Sequence, residues 1–130
     1  MLGKNNNFPS SFIIYLLAIM YLITGISKLI GANTQVENFE NWGFSTGFMI
    51  TIGIVEILGT IALLIPKTRF VAVLGLATLM IGAVGTHLIN GEYLNSLLPL
   101  VLLALLVFEI FRNRGSIEEA NLTEGDQANY

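Results

Sequence analysis

Four runs of almost unbroken apolar sequence limit what this chain can fold into. They are residues 11–30 (SFIIYLLAIMYLITGISKLI), 47–65 (GFMITIGIVEILGTIALLI), 70–89 (FVAVLGLATLMIGAVGTHLI) and 96–111 (SLLPLVLLALLVFEIF). About 20 helical residues, rising 1.5 Å each, span the roughly 30 Å of hydrocarbon in a bilayer. The first three runs have that length. The fourth is shorter, but Tyr93, Leu94 and Asn113 can extend it, and Pro99 suits its first turn, where no backbone N–H is required. All four are apolar on every face, unlike the one-sided helices of soluble domains. Only 12% of the 130 residues are charged and 54% are hydrophobic, whereas a soluble domain carries about 25% charge to cover its core. The expected fold is therefore all-α: one transmembrane four-helix bundle over residues 11–113. Residues 1–10 precede it, and the polar, acidic residues 114–130 follow as a disordered cytoplasmic tail. Residues 35–42 place Val36, Phe39 and Trp42 at helical spacing, which predicts a short interfacial helix between the first two spans, anchored by Trp42.

Orientation follows from the basic residues. Lys4, Lys67, Arg69, Arg112 and Arg114 flank the spans on one side, while the loops 31–46 and 90–95 contain no Lys or Arg and carry Glu37, Glu40 and Glu92. The positive-inside rule then puts both termini of this multi-pass chain in the cytoplasm. Lys4 ahead of an apolar run resembles a signal peptide, but the run is too long and no small-residue cleavage site follows. The net charge of −3 offers no basic patch for nucleic acid. With no cysteine, thiolate metal ligation, iron–sulfur clusters and thiol redox are excluded, and one histidine cannot hold a bis-histidine haem. The spacing of Glu56, His87 and Glu92 is not that of a metal site, and none is expected. Small residues predict packing faces: Gly75, Thr78, Gly82 and Gly85 on the third span, and Gly53, Gly59 and Thr60 on the second.

Lys28, Glu56 and His87 interrupt three different apolar runs. With this topology Glu56 lies about 14 Å below the outer boundary, and Lys28 and His87 about 5 Å. A carboxylate at that depth costs at least about 2.5–3.5 kcal/mol unless it is paired or wet. Lys28 is the one basic residue on that side, so a Glu56–Lys28 pair facing the bundle interior is expected, with Thr24 and Thr60 one turn away to add hydrogen bonds. Two other readings compete. Lys28 can snorkel to the outer head groups, and the pair can be structural rather than a ligand or proton site. His87 reads either as an interfacial hydrogen bonder or as a member of that site. Glu109 is expected to form a solvated helix-end pair with Arg112 at i+3.

Residues 25–31 (GISKLIG), 55–66 (VEILGTIALLIP) and 79–91 (LMIGAVGTHLING), followed by the span containing Pro99, resemble the DoxX-like family of four-helix membrane proteins over roughly residues 12 to 111. The resemblance implies a four-helix bundle in a bacterial-type cytoplasmic membrane. DoxX and DoxD relatives are linked with thiosulfate–quinone oxidoreduction, which implies quinone as a ligand and a redox partner protein, any sulfur step falling to that partner. The first expectation is thus an accessory, quinone-linked subunit that is not an enzyme on its own. A proton or small-molecule pathway component, and a structural protein that self-associates, are the alternatives.

Overall fold

The computed structural model describes residues 8–128, all-helical with no strand among them. In chain order the helices are α1 (Phe8–Leu29), α2 (Asn33–Asn41), α3 (Thr46–Leu64), α4 (Arg69–Ile89) and α5 (Leu97–Ala128). Residues 1–7, which include Lys4 and most of the expected N-terminal segment 1–10, lie outside the described residues. Among the described residues, three helices are long and apolar enough to cross a membrane: Phe12–Leu29 within α1, Thr46–Leu64 and Arg69–Ile89. The expected fourth span, in α5, is not among them, because Glu109, Arg112 and Arg114 follow too soon after its apolar start at Leu97. α5 also continues as helix to Ala128, across the segment expected to be a disordered tail. No proline interrupts it, and Glu118, Glu119, Ala120 and Leu122 favour helix; residues 121–128 remain exposed.

The helix ends follow from local chemistry. Beyond α1 and α4 the chain turns through Gly31 (φ +66°) and Gly91 (φ +74°), left-handed conformations that a side chain disfavours. Each turn closes with a bond five residues back: Ala32 N–H to the Ser27 carbonyl (3.0 Å) and Glu92 N–H to the His87 carbonyl (2.8 Å), the Schellman ending of a helix. α3 begins at Ser45, whose Oγ accepts from the Phe48 N–H, and stops before Pro66. There the last carbonyls of α3 are taken up by its own turn: Thr68 Oγ1 donates to Ala62 O (2.7 Å) and Arg69 Nε to Leu63 O (2.9 Å).

α1 packs mainly on α3 and α4 mainly on α5; α3 and α4 join the two pairs, α1 touches α5 lightly, and α2 rests on α1 and α3. Ile14, Leu17, Leu63, Val73, Leu76 and Leu106 lie in the shared core. The outward faces are also apolar: Phe12, Tyr15, Ile19, Leu58, Ile61, Val71, Ile81 and Phe108 are all exposed. Apolar surface on this scale is incompatible with water as the surrounding solvent.

The tightest approach is between α1 and α3. A Cβ at Gly53 would lie 2.9 Å from Lys28 Cβ and 3.0 Å from the Gly25 carbonyl oxygen, so the two backbones meet where only glycine fits. Gly59 meets Leu76 of α4, where a Cβ would lie 2.7 Å from Cδ2. Gly53 and Gly59 therefore serve different neighbours, contrary to the shared face expected; six helical residues turn about 600°, which leaves the two about 120° apart around the axis. The expected packing stripe on α4 is also corrected. Nothing among the described residues of other elements lies within 4 Å of a Cβ at Gly75, Gly82 or Gly85, and Thr78 and Gly82 line a cavity instead. Gly53→Ala should accordingly lower the unfolding temperature in detergent, the overpacking costing about 1–3 kcal/mol. Gly82→Ala should leave it unchanged or raise it, since only the helix preference for alanine changes. Equal behaviour of the two variants in a thermal melt would contradict this packing.

Candidate functional site

α1 and α3 bring opposite charges together inside the protein. Lys28 Nζ donates to both Glu56 carboxylate oxygens, at 3.3 Å and 3.2 Å, and the residues are only 8% and 3% exposed. The reason is geometric. Side chains on a helix lean toward its N-terminus, so Lys28, near the C-terminal end of α1, leans back into the protein. The glycine contact at Gly25 and Gly53, each three residues before the charged partner on its own helix, brings the two backbones close enough for the pair to close. Lys28 does not snorkel. Of the two threonines, Thr24 stands beside the Glu56 carboxylate as a hydrogen-bonding side chain, whereas Thr60 does not add to the pair. Thr60 Oγ1 donates to the Glu56 backbone carbonyl (2.9 Å) and Thr24 Oγ1 to the Tyr21 carbonyl (3.3 Å), each within its own helix, because a helical threonine readily reaches the carbonyl one turn back.

His87 is not in contact with this pair. Its Nδ1 lies 2.8 Å from Glu92 Oε2, and the edge of its ring meets Trp42 with centroids 5.0 Å apart and planes at 87°. Trp42 Nε1 in turn donates to the Glu92 carboxylate (3.2 Å and 3.3 Å). Glu92 thus bridges α2 and α4. The sequence alone places Glu92 among the outer-loop acids and in a set without metal-site spacing. The signal for its role lies in the run His87-Leu88-Ile89-Asn90-Gly91-Glu92: a helix ending in a glycine turn folds the next residue back onto the one five earlier. Trp42 also stands against Phe39 (5.2 Å), and Phe39 against Phe44 and Phe48, so α2 and the start of α3 build an aromatic wall.

One cavity of about 410 Å³ connects these groups. Tyr21, Thr24, Lys28 and Glu56 line one part of it and Trp42 and His87 another, with Phe39, Phe48 and Leu102 among the apolar walls. Four of the five sequence-chosen residues, Thr24, Lys28, Glu56 and His87, thus share the cavity, whereas Thr60 does not line it. Tyr21 was not anticipated. It is 0% exposed, and its hydroxyl has no hydrogen-bond partner among the described residues. A dry, unpaired hydroxyl costs roughly 1–3 kcal/mol. Its position was legible: Tyr21, Thr24 and Lys28 stand at i, i+3 and i+7 on one helix face.

Glu109 departs from expectation. It pairs with Arg112, but it is buried rather than solvated, and its Oε1 has no partner among the described residues. Leu102, Leu106 and Glu109 form one inward stripe of α5, so the carboxylate enters the protein with the leucines.

A family model described as the DoxX-like family matches residues 12–109. No curated protein and no solved structure matches the chain.

Removing one member of the buried pair leaves the other unpaired and desolvated, which costs about 3–5 kcal/mol. Lys28→Met alone should therefore destabilise strongly. The double variant Lys28→Met with Glu56→Leu should recover most of that loss. Equilibrium unfolding of the four combinations in detergent checks it; additive losses would show that the two side chains do not interact.

Proposed function

The chain belongs to the DoxX-like family, and on that premise we propose that it is a multi-pass cell-membrane protein that seats a quinone head group as an accessory subunit to a redox partner. In this reading α1, α3, α4 and the first part of α5 are four spans of one bundle. α2 lies in the outer interface, and both termini are cytoplasmic. The exposed apolar faces of the helices support a lipid environment. The charge asymmetry supports the direction: Glu37, Glu40 and Glu92 gather at the α2 end, and Lys67, Arg69 and Arg112 at the other.

The observation that carries the reading is the Lys28–Glu56 pair, buried where the packed α1–α3 contact meets the wall of a cavity. A cavity of about 410 Å³ falls in the range of small-molecule sites, which join apolar walls to a few polar groups. Those features fit a quinone ring. The aromatic wall from Phe39 and Phe48 suits a flat apolar body. Lys28 spends two of its three ammonium hydrogens on Glu56, leaving one for a carbonyl oxygen. A bound quinone would supply two-electron, two-proton redox chemistry. The chain's own residues would bind and orient it: Lys28 at the polar end, Glu56 holding Lys28 in place, and Trp42, His87 and Glu92 tying α2 to α4 beside the ring.

Organic extracts of the purified protein should contain quinone near one per chain, and Glu56→Gln should lower that occupancy severalfold while circular dichroism stays unchanged. Quinone-free wild-type protein would count against the reading. Proton or solute flux in reconstituted vesicles, abolished by Glu56→Gln, would favour a pathway component instead. For topology, periplasmic reporters fused after Thr34 should be active and those fused after Lys67 silent; the reverse pattern inverts the orientation.

A further inference from the structure

Tyr21 lines the cavity and buries a hydroxyl where a phenylalanine would carry none. Buried polar groups are almost always hydrogen-bonded, yet this one has no partner among the described residues. The neighbouring donors are already committed. Thr24 and Thr60 bond to carbonyls of their own helices, and Lys28 gives two hydrogens to Glu56. What remains on this wall is two donors: the Tyr21 O–H and the third N–H of Lys28. Tyr21 and Lys28 stand two turns apart on the same face of α1, so both present to one occupant. The Lys28–Glu56 pair has no net charge, so this wall offers no ionic attraction to an anion or a cation.

We infer that Tyr21 donates its hydroxyl hydrogen to an acceptor oxygen of a neutral, flat, apolar molecule held in the cavity, selecting ring carbonyls over hydrocarbon rings of the same shape. The inference rests on the ligand-binding reading of the cavity and adds to it the residue that recognises the ligand and the chemical group recognised. Tyr21 is then a binding residue, and Glu56 a positioning residue that acts through Lys28.

Trp42 is the one tryptophan of the chain and lines the same cavity, so its fluorescence reports occupancy directly. The full chain in detergent is titrated with a short-tailed benzoquinone, with an alkylbenzene of equal size as a competitor. Tyr21→Phe should weaken quinone binding about three- to tenfold, the worth of one hydrogen bond, and leave competition by the alkylbenzene unchanged. Without ligand, the variant should unfold at the same or a higher temperature, because it loses only an unpaired hydroxyl. Equal quinone affinity in both proteins would overturn the inference, and so would a lower unfolding temperature without ligand, which would reveal a structural bond at the hydroxyl. Wild-type protein with no saturable quenching would remove the quinone reading and this inference together. Saturable binding that ignores Tyr21 would remove this inference alone.

Discussion

An ammonium and a carboxylate held in contact inside apolar protein are the constraint around which this fold is arranged. Neither group is tolerated alone in hydrocarbon, and their attraction offsets desolvation only when the geometry is good. Here the geometry comes from glycine. Gly25 and Gly53 let α1 and α3 approach until a Cβ at Gly53 would collide with Lys28 Cβ. One turn further along each helix stand the two charges. The pair and the closest backbone contact are thus one device: the small residues set the distance, and the charges set which faces meet. The strongest helix pairing in the molecule, α1 with α3, is the one that holds them.

The other end of the cavity is built differently. No buried ion pair is needed there, because two glycine turns and a short helix do the positioning. The Gly91 turn returns Glu92 to His87, and the Gly31 turn sends the chain into α2, which brings Trp42 over the same histidine. Trp42 Nε1 and His87 Nδ1 then both meet the Glu92 carboxylate in a half-buried setting, where hydrogen bonds add modestly to stability but fix orientation. The cavity lies between a rigid charged wall on α1 and α3 and a hydrogen-bonded aromatic corner between α2 and α4. An arrangement that leaves donors on an apolar wall suits a neutral ligand with an acceptor oxygen better than it suits an ion, and for that reason the quinone reading and the role given to Tyr21 belong together.

The apolar runs, their helical state and the approximate ends of the first three spans were legible in the sequence, because hydrophobic length and turn chemistry are local; the continuation of α5 to Ala128 was not. The pairing of Lys28 with Glu56 was legible too, since a deep carboxylate needs a cation and Lys28 was the one at hand. The fate of the glycines was not. Gly75, Gly82 and Gly85 look like a packing stripe by spacing, but a stripe becomes an interface only if a neighbouring helix lies against it. The same holds for Glu109: its proximity to Arg112 is written in the i+3 spacing, while its burial depends on where α5 turns its leucine stripe.

By itself the sequence determined that this chain forms long apolar helices, that its charges divide between two ends, and that Lys28, Glu56 and His87 need shelter. These follow from side-chain solvation and backbone geometry over a few residues. Only the tertiary structure decided that Lys28 and Glu56 meet while His87 turns to Glu92 and Trp42. It alone decided that Thr60 serves its own helix while Thr24 stands beside Glu56, and that Tyr21 stands unpartnered at a cavity wall. Those outcomes depend on which helix faces which, a relation between residues far apart in the chain that no local preference encodes.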